Sequence, residues 1–326
     1  MTLPVLSVIV PVYNEEEVLP SLLERLLPVM ENLDVPGELI FVNDGSRDRS
    51  LAILLACREK HPGMLKILDL NGNFGQHMAI LAAFQECRGE YVITLDGDLQ
   101  NPPEEVPRVL ETLQKGHDVV GTTRQNRRDP FFRKAVSWLA NSMTNRITRL
   151  DIQDYGCMLR GYSRNVVDLI NQCRESTTFI PALAKTFAQN PVEIPVRHEE
   201  RTLGNSKYGI YKLLRLNFDL MTGFSLFPLQ ALTMLGMGIS FVSLLFVVFL
   251  ALRRLFVGPE AEGVFTLMGI NFFLLGITLL CLGIVGEYVG RIYQEVRRRP
   301  RYVIRRIWES SPGKRENPEK ERSHGM

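Results

Sequence analysis

The sequence predicts an α/β protein: a Rossmann-like domain followed by an amphipathic interface helix and two transmembrane helices. Three observations carry that prediction. Short β-branched runs alternate with helical segments as far as Gly121, the pattern of a parallel sheet flanked by helices. Polar and acidic residues follow these runs, at the strand ends where open α/β sheets bind their ligands. Two later stretches, residues 229–252 and 264–285, contain no charged side chain and reach the ~20 residues that cross a hydrocarbon core.

Taken in order, strands are expected at residues 6–10, 38–42, 65–70, 91–95 and 118–121, with helices near 16–27, 48–60, 76–87 and 104–115. The first apolar run contains Pro4 and Pro11 and lacks a basic flank, so it is not a signal peptide. Residues 126–149 are basic and aromatic, with Arg127, Arg128, Phe131, Phe132, Arg133, Lys134 and Trp138. Two readings stay open there: a solvated helix face, or a surface that meets acyl chains and anionic headgroups. From Lys207 to Phe224, Ile210, Leu213, Leu214, Phe218, Leu220 and Met221 recur at helical spacing opposite Lys212, Arg215 and Asp219. This amphipathic helix leads into the first span and is expected to lie in the interface.

The division expected is therefore an α/β domain at 1–206, a juxtamembrane helix at 207–228, two spans with a short loop at 229–290, and a basic tail at 291–326 whose end is disordered. Two spans return the chain to the side it left. Arg291, Arg297, Arg298, Arg299, Arg301, Arg305 and Arg306 follow the second span, so the positive-inside bias puts both ends in the cytoplasm. Residues 300–308 have the β-branched and aromatic character of a strand that can exchange between subunits. A net charge of +2 with 23% charged residues gives no nucleic-acid footprint. The five cysteines have no CxxC spacing, which argues against zinc or a disulfide framework.

The element richest in chemistry is Asp96-Gly97-Asp98-Leu99-Gln100, directly after an apolar run. On an extended segment, carboxylates at i and i+2 share a side and can reach one divalent ion; oxygen-only ligands favour Mg2+ or Mn2+. An Asx turn closing the strand is the plainer reading of the same residues. The first two strands end in Val10-Pro11-Val12-Tyr13-Asn14-Glu15 and Asn43-Asp44-Gly45-Ser46, where a carboxylate can accept from a pyrimidine imide or a ribose hydroxyl. No GxGxxG or GxxxxGK[ST] is present, which speaks against a dinucleotide oxidoreductase or a P-loop ATPase.

These motifs, together with Asn101-Pro102-Pro103-Glu104 and the run from Glu199-Glu200-Arg201 through Gly204-Asn205-Ser206-Lys207-Tyr208, resemble the GT-A polyprenyl-phosphate glycosyltransferases. The resemblance extends from about residue 5 to 306 with the motifs in family order. More narrowly, Asn73-Phe74-Gly75-Gln76-His77, Gly121-Thr122-Thr123-Arg124, Asp154-Tyr155-Gly156-Cys157 and Gly286-Glu287-Tyr288-Val289 resemble a bacterial branch. Its donor is UDP-4-deoxy-4-formamido-L-arabinose and its acceptor undecaprenyl phosphate, in the decoration of lipid A that confers polymyxin resistance.

The resemblance implies that Pro11, Tyr13, Glu15, Asp44 and Asp96 hold the nucleotide, and that Asp96, Asp98 and Gln100 hold Mg2+ or Mn2+ with the diphosphate. It implies that Asp154 aligns the acceptor or acts as a weak base, with a helix cap as its alternative. It also implies inversion at the anomeric carbon, an inner-membrane location and a tetramer. Family members often carry Asp at the place of Asn43 and Ala at the place of Gly97; neither difference removes a metal carboxylate. A lipid phosphate is largely dianionic at neutral pH, so positioning and charge dominate over base catalysis. Arg124, Arg127, Arg201 and Lys207 are the candidates for holding the phosphates together, with Arg133 beside them. His77, His117 and His198 lack metal-ligand spacing, and Glu287 and Tyr288 read as interface anchors. The rivals are the same fold acting on glucose or mannose, a processive synthase, and a non-catalytic membrane scaffold.

Overall fold

The computed structural model describes residues 4–61, 63–124, 157–173, 179–197, 227–256, 264–297 and 299–309. The expectations at Arg127, Arg133, Asp154, His198, Arg201 and Lys207, the basic stretch, the interface helix and the end of the tail lie outside the described residues. The chain forms two compact units, one built on a sheet and one on two long helices.

In the first unit the expected elements appear in order: β1 Leu6–Val12, α1 Leu19–Glu31, β2 Gly37–Asn43, α2 Ser50–Lys60, β3 Leu65–Leu70, α3 Gln76–Glu86, β4 Tyr91–Thr94, α4 Val106–Gln114 and β5 Val119–Arg124. A single 3-10 turn, Pro103–Glu105, precedes α4. Four further elements follow: β6 Arg160–Ser163, α5 Arg164–Gln172, α6 Ile180–Phe187 and β7 Pro191–Val196. The chain returns after the long helices as β8, Ile304–Glu309, which pairs with β3 of the same chain.

Among the described residues the sheet has eight strands, in the order β7-β5-β6-β4-β1-β2-β3-β8. Strands β4, β1, β2 and β3 are parallel neighbours, as the alternating pattern predicts. The sheet is mixed, however. Strand β6 enters antiparallel between β4 and β5, and β8 runs antiparallel along the outer edge of β3. Covered on both faces, β1, β2 and β3 are nearly continuous apolar runs. The buried polar exceptions are Ser7 on β1, Asn43 on β2, and Lys66 and Asp69 on β3; the Lys66 Nζ donates to the Glu86 carbonyl and to Glu86 Oε2, each at 2.9 Å.

Helices cover the sheet with stripes at three- and four-residue spacing: Leu19, Leu22, Leu23, Leu26 and Met30 on α1, and Val106, Val109, Leu110 and Leu113 on α4. Helix α1 starts at Leu19, three residues after the expected Glu16. Residues 16–18 form a turn instead, and the N–H groups of Glu15 and Glu16 donate to Ser50 Oγ and Asp48 Oδ2. The described β4 ends at Thr94, so the acid pair follows the strand in a turn rather than on the extended segment expected.

The second unit contains α7, Phe227–Phe256, and α8, Val264–Val296. Phe241, Phe249, Phe272, Phe273 and Leu282 are exposed on them, an arrangement suited to an apolar surrounding. Within α8, Ile270–Gly290 is 21 residues long with a mean hydropathy of 2.1, long and apolar enough to cross a membrane. Among the described residues it is the one helix that meets both criteria, so one candidate span stands where two were expected.

Packing of α4 on β6 depends on a missing side chain. A Cβ on Gly161 would meet Val109 Cγ1 at 2.7 Å and Leu113 Cδ1 at 2.8 Å. Replacing Gly161 by valine is expected to cost about 1–3 kcal/mol as α4 is pushed off the sheet. Chemical unfolding followed by circular dichroism measures this, and an unchanged midpoint would contradict the contact.

Candidate active site

The carboxyl ends of β1, β2 and β4 are neighbours because their strands are, with Val12 opposite Asn43 and Ile9 opposite Thr94. What shapes the site is how the loops leaving them are tied. Asn14 adopts a φ of 54°, a left-handed conformation that asparagine tolerates better than most residues. Its N–H donates to Ser46 Oγ at 3.0 Å, and its Oδ1 accepts from the Arg47 N–H at 2.8 Å. In the same way Glu16 N–H donates to Asp48 Oδ2 at 3.1 Å, while Glu16 Oε2 accepts from Arg49 N–H at 2.9 Å. The loops after β1 and β2 are thus laced reciprocally, side chain to backbone. Burial opposes ionisation of Asp48, yet bonds from Ser50 and Glu16 outweigh it and hold the carboxyl below its ordinary range.

Asp44, at the end of β2, is buried. Its Oδ1 accepts from Phe74 N–H at 2.8 Å and its Oδ2 from Gly75 N–H at 2.9 Å. Burial pushes its pKa up, and the two N–H donors offset part of that rise. Each carboxylate oxygen retains a further lone pair for a ligand donor. Beside it Gly45, with a φ of 67°, packs directly on the loop that Asp44 holds: a Cβ would lie 2.5 Å from the Gly72 carbonyl carbon. Asn43 is also buried. It donates from Nδ2 to Asp69 Oδ1 at 2.7 Å and accepts from Ser46 N–H at 3.3 Å, so its side chain is turned into the sheet edge.

The acid pair sits across from these loops. Asp98 Oδ1 accepts from Gln100 N–H at 3.1 Å, closing an Asx turn in which Leu99 takes a φ of 59°. The plain reading of the motif is therefore correct, and it leaves room for the other one, because Asp98 Oδ2 has no hydrogen-bond partner among the described residues. Asp96 accepts from Gln76 Nε2 at 2.5 Å and from Asn101 Nδ2 at 3.3 Å. Gly97 brings this turn close to β1, since a Cβ there would lie 3.1 Å from the Pro11 carbonyl oxygen.

Two carboxylates, with no thiolate or imidazole completing a site beside them among the described residues, make a hard oxygen donor set that fits Mg2+ or Mn2+. Among the described residues no group of three His, Cys, Asp or Glu side chains can hold a metal unaided. The pair fits an ion that also takes ligands from a diphosphate.

The structure brings together Pro11, Tyr13, Glu15, Asp44, Asp96, Asp98 and Gln100 at three adjacent strand ends, with Tyr13 44% exposed beside the site. Arg124 ends β5, opposite Val196 of β7, with β6 between β5 and β4. Ser46, Gln76 and Asn101 stand in the quoted motifs without an assigned role, and Asp48 and Ser50 were not singled out. Asn101 also leads into a buried polar chain: its Oδ1 accepts from Cys157 Sγ at 3.3 Å, and Cys157 Sγ lies 2.8 Å from Thr122 Oγ1. Its place five residues after Asp96, ahead of two prolines, was the signal available.

His77, next to Gln76, packs edge-on against Phe179 with ring centroids 4.9 Å apart. Its buried Nδ1 finds no partner among the described residues. Burial, helped by the charge of Arg160, lowers its pKa to about 4. The unfolded chain therefore binds the extra proton first, and stability present above the ordinary pKa of ~6.5 is lost as pH falls toward 4. In His77→Gln that loss is expected to shrink. Unfolding midpoints of the two proteins between these limits test it, and parallel pH profiles would contradict it.

Known proteins resemble this chain in sequence and in fold. The family model described as glycosyl transferase family 2 matches residues 7–170. Undecaprenyl-phosphate 4-deoxy-4-formamido-L-arabinose transferase of Photorhabdus laumondii subsp. laumondii is 48% identical over 303 residues, 92% of this chain and 93% of its own. The protein of the same name from Sodalis glossinidius is 45% identical over 314 residues, 96% of each chain. Among solved structures, glucosyl-3-phosphoglycerate synthase from Mycobacterium tuberculosis, in complex with Mn2+, UDP and phosphoglyceric acid, superposes with a TM-score of 0.50. That match has 16% identity and covers 67% of this chain and 76% of the other, a likeness of fold. With half of its length in the family model and near-complete relatives at this identity, the chain belongs to glycosyl transferase family 2.

Proposed function

We propose that this enzyme transfers 4-deoxy-4-formamido-L-arabinose from its UDP donor to undecaprenyl phosphate, a step toward aminoarabinose-modified lipid A and polymyxin resistance. The observation that carries the reading is the acid pair Asp96 and Asp98 facing the laced ends of β1 and β2. The near-complete relatives that bear the name of this activity support the choice of sugar and acceptor.

In this reading Pro11, Tyr13, Glu15 and Asp44 hold the uridine, with Asp44 offering lone pairs beside its two backbone donors. Asp96, Asp98 and Gln100 hold Mg2+ or Mn2+ with the diphosphate. A divalent cation there, when bound, neutralises charge on the departing UDP. Gln76 and Asn101 fix the Asp96 carboxylate from two sides, so it is oriented before the donor arrives. Arg124, Arg127, Arg201 and Lys207 draw the acceptor phosphate against the donor, and Asp154 aligns it or serves as a weak base. Attack in line with the leaving diphosphate inverts the anomeric carbon.

The acceptor is a membrane lipid, and the apolar helix within α8 supports an anchor in the same membrane. We read α7 as a second span and 207–228 as an interface helix, which puts the catalytic domain and the arginine-rich tail on the cytoplasmic side of the inner membrane. The assembly is read as a homo-oligomer.

Membranes containing the protein are expected to make lipid-linked product from UDP-4-deoxy-4-formamido-L-arabinose and not from competing UDP-glucose or GDP-mannose. Asp98→Asn is expected to stay folded and to lower turnover at least about a hundredfold, the scale of a lost charge-stabilising contact. Equal turnover in the variant would remove the metal role, and preferred use of a hexose donor would reassign the sugar.

A further inference from the structure

We propose that the C-terminal strand β8 is a working part of the donor site, with Arg305 as the positioning residue that holds Asp44 and its loop in binding geometry. The proposal rests on the reading of Asp44 as a uridine contact. It begins with a register shift. Along β3 and β8, Asp69 stands opposite Arg306 and Leu70 opposite Ile304, so Arg305 is the extra residue of a β-bulge. Bulges break the alternation of a strand and re-aim a side chain.

Here the re-aimed side chain reaches the end of β3. Arg305 Nη1 lies 3.4 Å from Asp69 Oδ2, and its Nε and Nη2 each lie 3.4 Å from Asn71 Oδ1. Both residues lead to Asp44. Asp69 is buried, and its other oxygen accepts from Asn43 Nδ2 at 2.7 Å; Asn43 immediately precedes Asp44 and caps its turn through Ser46 N–H. Asn71, whose N–H donates to Val303 O of the tail at 2.8 Å, opens the loop whose Phe74 and Gly75 N–H groups hold the Asp44 carboxylate. One guanidinium thus touches both arms of the frame around Asp44.

The charge balance explains why an arginine is needed. Asp69 is a carboxylate 2% exposed, and Arg305 is the cation paired with it. Without that partner the buried charge is left, among the described residues, with the Asn43 amide alone, and the Asn43 and Asp69 side chains have reason to separate. The other anchors of β8 lie at the opposite end of β3: Glu309 pairs with Arg88 at 2.5 Å, and its carbonyl accepts from Arg58 Nη2 at 3.1 Å. Docking of the strand and positioning of the donor loop can therefore be perturbed separately.

The test is calorimetric titration of UDP, with Mn2+ present, into the purified full-length protein in lipid nanodiscs. Arg305→Ala is expected to weaken UDP binding about tenfold, the effect of losing a charged hydrogen-bonded contact, with kcat at saturating donor retained. Arg305→Lys should recover part of the affinity. The double variant Arg305→Ala with Asp69→Asn should recover more, because an asparagine accepts from Asn43 without needing a cation. Arg88→Ala should lower the unfolding midpoint yet leave UDP affinity within about twofold. Asp44→Ala is the reference and should abolish measurable binding. If Asp44→Ala binds UDP normally, the donor-site reading itself fails. If it does not, the proposal is overturned by normal affinity in Arg305→Ala, by equal weakening in Arg88→Ala, or by absence of rescue on replacing Asp69.

Discussion

Carboxylates held by backbone N–H groups are the interaction on which this site depends. Asp44 takes the N–H groups of Phe74 and Gly75, Glu16 and Asp48 take those of the facing loop, and Asp98 takes that of Gln100. Hydrogen bonds to charged groups contribute about 1.5–3 kcal/mol each, whereas exposed ion pairs contribute about 1 kcal/mol or less. The loops are therefore fixed by their own main chain more than by surface pairs such as Arg25 with Glu104. Because the same carboxylates have lone pairs to spare, the bonds that build the site also prepare it for a ligand.

The sheet supplies the second constraint. Parallel order through β4, β1, β2 and β3 gathers the polar strand ends along one rim, and the glycines at 45 and 97 let the turns approach the neighbouring backbone. Antiparallel β6 then separates β5 from this cluster, so Arg124 lies two strands from β4. The tail closes the far edge. Strand β8 covers β3, and its bulge turns Arg305 of the tail toward Asp69 near the end of that strand.

Much of this was legible in the residues. Leu6, Val8, Ile9 and Val10 could be read as a buried strand because helices cover both faces, and the acids of Asp44 and the Asp96 turn were conspicuous after apolar runs. Strand β6 was not legible. Its four residues, Arg-Gly-Tyr-Ser, carry a glycine because α4 presses on that position, a tertiary demand that overrides strand propensity. The roles of Gln76, Asn101 and Asp48 were not legible for a related reason: their partners lie 20, 5 and 32 residues away, and only the fold brings them together. Pairing of β8 with β3 spans more than 230 residues, so the strand character of residues 300–308 was visible while its place was not.

The central claim is that Asp96 and Asp98 grip a divalent ion together with a nucleotide diphosphate. Electron–nuclear double resonance on Mn2+ added to the protein with UDP addresses it directly, because phosphorus coupled to the bound ion has its own signature. A protein-bound Mn2+ spectrum with 31P coupling is expected in the wild type and is expected to be lost in the doubly substituted Asp96→Asn, Asp98→Asn protein. An identical 31P-coupled, protein-bound spectrum in both proteins would contradict it.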